Sequence, residues 1–482
     1  MKRITVISFA MVFFFSCGHP NQDPQKVRTE YSEKNRHLVT ADGEPFFWLG
    51  GTVWGMSEWM TREDIDYYLD DRSDKGFSVV QVCLLWGKRS EHPTSFALNA
   101  ENVYGHRALR EINGEPDPTH PWIEEGGTPN QPNDYWDHVD YLVEAMAKRN
   151  MVLALLPVWG RRYVNATHPG FSMPIFGPDK MHLYGQFLGQ RYASHTHIIW
   201  VLGGDVKADH GADHRSSYRA MAEGILEGVT GERVAWSENS PLWDHVLMTY
   251  HPDGAPMINS SSWFHTDPWL DFNMIETFVH KDAIVKAVRQ DYSLAAPIKP
   301  SIMGEPAYEG QGGPGDARQG IHMRRQAYQS FFSGAAGFTY GGYYDEKNNG
   351  PLFSPFGAWR EMLDLEGARS MTHLKSFCLT HDWYRWIPDQ SLIEADTGKG
   401  QFEQVAVTST KKDFALYYLP ENRLCKINVG KLVGTQDSLS IQWFDPSTGK
   451  YGDQTLMSST QLGTGVSPPA YYKDALLVIS AK

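Results

Sequence analysis

"IIWVLGGDV", Ile198 to Val206, is apolar from Ile198 to Leu202, passes through two glycines and reaches an acid, Asp205. A short apolar run rich in β-branched residues and closed by glycines has the pattern of a strand buried on both faces, as strands of parallel sheets are. Seven similar runs are found along the chain. Three precede it: "FFWLGGTVWG" (Phe46 to Gly55), "FSVVQVCLLW" (Phe77 to Trp86) and "MVLALLPVWG" (Met151 to Gly160). Four follow it: "HVLMTYHP" (His245 to Pro252), "PMINSSSWFH" (Pro256 to His265), "KPSIMGEPAYEG" (Lys299 to Gly310) and "GAAGFTYGGY" (Gly334 to Tyr343). The sixth in chain order has little apolar character beyond Met257 and Ile258.

Helical periodicity fills the gaps between them. "TREDIDYYLDDRSDKG" opens on Thr61, a good N-cap, and "DYWDHVDYLVEAMAKRN" spaces Trp136, Val139, Leu142, Val143 and Met146 three and four apart. "MHLYGQFLGQRYAS" behaves in the same way. Alternating strands and helices predict an α/β fold of the (β/α)8 TIM-barrel type over residues 36–378. An open doubly wound sheet would need a glycine-rich phosphate turn after its first strand, which the chain lacks. The long stretch between Trp86 and Asn133, with "EINGEPDPTHPW" in it, predicts a loop overhanging the barrel mouth. From about residue 379 to 482 the pattern changes to short strands and turns, as in "FALYYLP", "SLSIQWFDPSTGKY" and "DALLVIS". That segment is expected to form a small C-terminal antiparallel β-sandwich.

The start of the chain reads differently. Lys2 and Arg3 precede an apolar run from Ile4 to Phe15, too short to span a bilayer and patterned as an export signal. "FSCG" then resembles a bacterial lipoprotein signal, which makes Cys17 the candidate lipidation site, residues 1–17 the signal and 18–35 a polar linker. Simple secretion is the alternative. The expected location is outside the cytoplasm, in the periplasm or on the outer membrane or cell surface, with membrane contact only through the lipid. Cys83 reads as a core residue, and Cys378 and Cys425 as a pair that an oxidising compartment could join.

The 482 residues carry a net charge of -13, which argues against nucleic acid as a partner because phosphate binding needs clustered Lys and Arg. Aromatic residues are plentiful, with 16 Trp. Such rings serve both as core and as platforms for sugar faces.

In a barrel of this kind the active site lies at the C-terminal ends of the strands, so acids there differ from acids on the outer helices. Asp205 follows strand four and Glu305 follows strand seven, on opposing walls of one cavity. Paired carboxylates suit glycoside hydrolysis, one protonating the leaving oxygen while the other attacks the anomeric carbon or activates water. The blander alternative is that each acid forms an ion pair, with Arg161 or Arg162 after strand three as partners. Trp54, Trp86, Trp159 and Tyr340, at the ends of strands one, two, three and eight, are candidate sugar contacts. His251 in "TYHP", and Trp263 and His265 in "SSWFH", are candidates for binding hydroxyls or orienting Glu305. "DVKADHGADH", with Asp209, His210, Asp213 and His214, lacks a recognised zinc spacing and reads as a polar loop and helix start, so neither metal nor cofactor is expected. No GxSxG serine and no GKS or GKT loop is present, which leaves acyl transfer and phosphate binding unsupported.

"FFWLGGTVWGM", "WVLGGD", "DFNMIE" (Asp271 to Glu276), "GEPAYEG" and "GFTYG", in that order, resemble the apiosidase-like family of bacterial glycoside hydrolases. The resemblance runs from about Arg36 to the C-terminus. It implies a (β/α)8 catalytic domain followed by a β-sandwich labelled as collagen-binding. It also implies that Asp205 is the general acid/base and Glu305 the nucleophile of a retaining hydrolase. Related barrel hydrolases usually place Asn-Glu at the end of strand four, where this chain has Gly204-Asp205; the shorter Asp must be brought closer by the backbone, which two glycines permit. One activity implied by the family is release of apiose from rhamnogalacturonan II, a plant pectic polysaccharide. The competing reading is a cell-surface carbohydrate-binding protein without turnover.

Overall fold

The computed structural model describes residues 26–31, 36–87, 98–167, 174–254, 259–278, 280–311, 319–342, 359–394, 397–432 and 438–480. The expected export signal and the candidate lipidation site Cys17 lie outside them. Eight parallel strands form the central sheet: β1 (Trp48–Thr52), β2 (Val79–Cys83), β3 (Val152–Leu156), β4 (Ile198–Gly203), β5 (Met248–His251), β6 (Asn273–Glu276), β7 (Ser301–Glu305) and β8 (Gly337–Tyr340). Their hydrogen-bonded order is β5-β4-β3-β2-β1-β8-β7-β6, and every residue of the eight is buried. The two ends meet without a ladder between them. The Asp271 N–H donates to Met248 O at 2.9 Å, the Met248 N–H to Asp271 Oδ2 at 2.7 Å, and Thr249 Oγ1 to Phe272 O at 2.7 Å. The barrel is therefore closed by residues just ahead of β6.

The expected sixth strand is a correction. Residues 256–258 of "PMINSSSWFH" lie outside the described residues, and Ser261–Phe264 is one helical turn. Three successive serines offer no apolar, β-branched run to bury. The segment instead covers β6, with Ser260 Oγ accepting the Met274 N–H at 2.9 Å. The strand itself is made from "NMIE", in the stretch singled out by the family resemblance.

Seven helices of eight or more residues surround or follow the barrel among the described residues: α1 (Arg62–Asp74), α2 (Tyr135–Lys148), α3 (Pro178–Tyr192), α4 (Arg215–Thr230), α5 (Ile284–Tyr292), α6 (Gly320–Phe332) and α7 (Glu366–Thr380). Thr61 caps α1 as expected, its side chain accepting the Asp64 N–H while the Asp64 carboxylate accepts the Thr61 N–H. The long connection after β2 contains a β-hairpin, Leu109–Ile112 with Glu115–Pro121. None of the described helices is long and apolar enough to cross a membrane.

Beyond α7 lies one antiparallel sheet whose path runs Ile387–Pro388, Val405–Thr408, Phe414–Leu419, Ala475–Ser480, Ser438–Asp445, Lys450–Tyr451, with Thr455–Ser458 also paired to Ser438–Asp445. Its side chains alternate strictly. Val405, Val407, Leu416, Tyr418 and Leu476 join the barrel's core, whereas Ala406, Ala415, Tyr417, Leu419 and Leu477 form a second, smaller core on the far face. The two parts are also pinned by charge: Arg324 of α6 pairs with Asp474 at 2.9 Å with both side chains fully buried, and Tyr418 donates to the same carboxylate at 3.1 Å. Cys378 belongs to the first core and Cys425 to the second, and both are free thiols.

Candidate active site

β4 stops at Gly203, and the chain leaves the sheet through Gly203, Gly204 and Asp205 at φ of 89°, 115° and 50°. A Cβ at Gly203 would lie 2.3 Å from the His251 carbonyl oxygen, so no other residue fits there. For Asp205 a left-handed backbone costs about 1–2 kcal/mol. Three contacts hold it: Gly204 N–H donates to His251 O at 3.1 Å, Arg161 N–H to Gly204 O at 3.1 Å, and Asp205 N–H to His251 Nδ1 at 3.4 Å. The Asp205 carboxylate accepts from the Arg161 guanidinium at 2.6 Å, so the ion-pair alternative is realised for this acid. Its pKa is nonetheless pushed up to about 6: burial raises it, the Arg161 guanidinium opposes the rise, and the Glu305 and Asp253 carboxylates add to it.

Glu305 is the last residue of β7. The Tyr308 hydroxyl donates to Oε1, and Oε2 lies 2.9 Å from Nε2 of His251. Glu276, the last residue of β6, stands in register with Glu305 after a bulge between Ile275 and Glu276. Its Oε2 is 3.4 Å from His251 Nδ1. Burial, then the neighbouring Glu305, Asp205 and Asp253, hold its carboxyl well above the usual carboxylate range.

His251, at the end of β5, is thus the hub: its ring touches the backbone of Asp205 and the side chains of Glu276 and Glu305. It is enclosed by tryptophans. Trp54 stands edge-on to the imidazole at 5.2 Å and Trp159 lies at 6.1 Å; the chain of rings continues from Trp54 to Trp159 (5.0 Å), to Trp86 (5.9 Å) and to Trp59 (4.8 Å). Glu58 fixes the far side by accepting the N–H groups of Trp86 and Gly87 at 2.7 and 2.8 Å. These three predicted contacts, Trp54, Trp86 and Trp159, are each 5% exposed or less and are packed into the core around His251.

The structure brings together Asp205, Glu305, His251, Trp54, Trp86 and Trp159. The other predicted contacts lie elsewhere. Trp263 packs edge-on against Tyr250, Tyr340 donates to Glu309 at 2.6 Å, and His265 lies beside Asn273 at the start of β6. Asp213 is paired with Arg215. Two sets of groups do have spacing that could hold a cation: His251, Glu276 and Glu305, and Asp205, Asp253 and Glu276, each with ligand atoms within 4.8 Å of one another. In the second set the Arg161 guanidinium already supplies the positive charge to Asp205.

Sequence reading missed Glu276, Asp253, Tyr308 and Glu58. A signal for Glu276 was available, because "NMIE" and "SIMGE" both carry apolar residues into a terminal glutamate.

The model of the apiosidase-like catalytic domain matches residues 32–385. The chain belongs to the apiosidase-like family. A second family model, for a collagen-binding-like domain of a collagenase, matches residues 387–480 of this apiosidase-like chain. No curated protein sequence matches it. Among solved structures it is similar to a glycoside hydrolase family 5 protein from Bacteroides vulgatus, at 26% identity and a TM-score of 0.76 over 95% of this chain and 93% of that one. A second structure described as a glycoside hydrolase aligns at 25% identity and a TM-score of 0.73, covering 95% of this chain and 97% of the other. This apiosidase-like protein is accordingly a glycoside hydrolase with a (β/α)8 barrel, and its substrate is a carbohydrate.

Proposed function

We propose that the protein is a retaining glycosidase in which Glu305 attacks the anomeric carbon while Asp205 protonates the departing oxygen, and Asp205 then deprotonates the water that releases the sugar. The observation that carries this reading is that one buried imidazole, His251, touches both residues, at 2.9 Å through Nε2 to Glu305 and at 3.4 Å through Nδ1 to the Asp205 N–H. Two acids fixed to one ring are held against one bond. The elevated pKa of Asp205, about 6, suits a group that must begin the cycle protonated. Glu305 Oε1 accepts from the Tyr308 hydroxyl and Oε2 stands 2.9 Å from His251 Nε2, polar surroundings that suit a carboxylate attacking as an anion.

The substrate we favour is an apiose-bearing side chain of rhamnogalacturonan II, supported by the family's catalytic-domain match. Trp54, Trp86 and Trp159 would border the sugar. The N-terminal pattern supports export and a lipid anchor at Cys17, locating the enzyme where polysaccharide is encountered. The deciding experiment is sugar release from rhamnogalacturonan II and a panel of other glycans by the native protein and by Glu305→Gln. Apiose released by the native protein and lost in the variant is expected. Release that survives the substitution would overturn the site, and release only from other glycans would overturn the substrate.

A further inference from the structure

His251 Nε2, Glu276 Oε2 and Glu305 Oε2 are three buried polar atoms without a hydrogen-bond partner among the described residues, and the residues that carry them are 0%, 2% and 5% exposed. Buried polar atoms are nearly always bonded, so orphans that stand together suit one partner shared by all of them. The three residues each offer a ligand atom within 4.8 Å of the other two. Nε2 and Glu305 Oε2 are 2.9 Å apart yet form no hydrogen bond, so the Nε2 axis passes beside the oxygen. Two ligands about 2.0–2.1 Å from one zinc ion stand about 2.9 Å apart across a right angle and about 3.4 Å apart at the tetrahedral angle. The observed separation is that of neighbouring ligands.

The far side of each group is held by the protein. Tyr308 donates to Glu305 Oε1, the Gly254 N–H donates to the Glu276 carboxylate, and the Pro252 carbonyl lies 3.1 Å from His251 Nδ1. Imidazoles and carboxylates that bind metal are oriented by such outer contacts, and a carbonyl at Nδ1 keeps the ring hydrogen there and leaves the Nε2 lone pair to an ion. The Asp205 N–H, 3.4 Å from the same nitrogen, suits the other tautomer; the shorter contact favours the one that zinc takes. One imidazole among carboxylates is a donor set for zinc rather than for calcium or magnesium, which prefer oxygen alone. Charge draws a cation in: Asp205 and Asp253, both half-buried, stand with Glu276 within 4.8 Å, and the Arg161 guanidinium is taken up by Asp205. An opening that admits a sugar to Glu305 also admits an ion.

We propose that His251, Glu276 and Glu305 bind a zinc ion, and that the bound ion keeps Glu305 from the anomeric carbon, so that zinc inhibits the enzyme reversibly by competing with the sugar. The binding rests on the arrangement of these three residues. The inhibition rests on the reading of Glu305 as nucleophile. Removing the ion frees the carboxylate and restores turnover.

Two arms test this. The full chain, stripped of metal with a chelator, is titrated with zinc by calorimetry, and X-ray absorption at the zinc edge reads the ligands. Zinc held by one imidazole and carboxylate oxygens is expected, with the affinity falling by more than roughly 10²-fold in Glu276→Gln and in His251→Gln, because even the outer partners of metal ligands are worth about 10- to 100-fold. No zinc bound by the native protein, a shell without imidazole, calcium bound as tightly as zinc, or an affinity unchanged in either variant would overturn the site. A lost affinity counts only in a variant that still unfolds cooperatively in denaturant; where neither does, the absorption spectrum of the native protein decides. In turnover of rhamnogalacturonan II, zinc that fills the site should raise KM at unchanged kcat, a chelator should restore the rate, and the rate that Glu276→Gln retains should be insensitive to the same zinc. Native turnover unaffected by zinc that calorimetry shows to be bound would overturn the inhibition. If the native protein releases no sugar with the chelator present, the reading of the enzyme's function fails in that assay while the binding arm still decides the zinc site.

Discussion

Replacing Arg161 by glutamine should move the pH profile of this enzyme in a direction that depends on Asp205 being its acid. The guanidinium sits 2.6 Å from Asp205 and lowers a pKa that burial has raised to about 6. Unit charges with centres about 4 Å apart attract by about 1 kcal/mol under bulk-water screening and about 4 kcal/mol at the effective dielectric of a protein surface. With the two side chains 30% and 39% exposed, the lower part of that range applies. About 1.4 kcal/mol corresponds to one pKa unit, so losing the guanidinium raises Asp205 from about 6 to roughly 7. Removing a positive charge favours the neutral form, and the general acid must be neutral to donate. The alkaline limb of kcat/KM for sugar release should therefore move up by about one unit in Arg161→Gln, since that limb reports the acid of the free enzyme. A limb that stays put, or moves to lower pH, would refute the assignment of Asp205 as the acid.

Three further outcomes follow from the structure. Asp474→Ala removes the buried partner of Arg324, which keeps only the half-exposed Glu366 at 2.6 Å, and should destabilise the protein by roughly 3 kcal/mol, read as a lower midpoint in denaturant; an unchanged midpoint would remove the ion pair from the account of how the sheet is held to the barrel. Gly203→Ala forces a Cβ to within 2.3 Å of the His251 carbonyl at φ 89° and should cost on the order of 10²-fold in kcat by displacing Asp205, with native-like kcat as the refuting result. Burial pushes the Cys378 thiol well up and that of Cys425 to about 12, so neither should react with a disulfide reagent until the protein is unfolded; rapid reaction of the native protein would contradict their burial.

Much of this architecture was legible because parallel barrel strands are buried on both faces and so are written as unbroken apolar runs. Seven of the eight strands fall inside stretches recognisable in that way, and the strand-end rule then separates Asp205 and Glu305 from the other acids. The sixth strand escaped because it is only four residues long, Asn273–Glu276, and starts on a polar residue. With it went Glu276, whose importance depends on the register that sets it beside Glu305. Trp263 and Tyr340 show the converse difficulty: an aromatic residue near a strand end can turn to the cavity or to the helices, and the sequence pattern does not distinguish them. Tyr340 is turned toward Glu309, and Trp263 rests on Tyr250. The ion pair of Arg324 with Asp474 joins residues 150 positions apart, beyond the reach of any local pattern.

The central claim is that Glu305 and Asp205 divide the work of a retaining hydrolysis, and azide rescue tests it most directly. Azide added to Glu305→Ala takes the place of the missing nucleophile and should give a glycosyl azide of inverted configuration. Added to Asp205→Ala it should intercept the glycosyl-enzyme and give an azide of retained configuration. These two products from the two variants are what the account predicts. Sugar released by the native enzyme with inverted configuration, or a Glu305→Ala variant that turns over fully without azide, would contradict it.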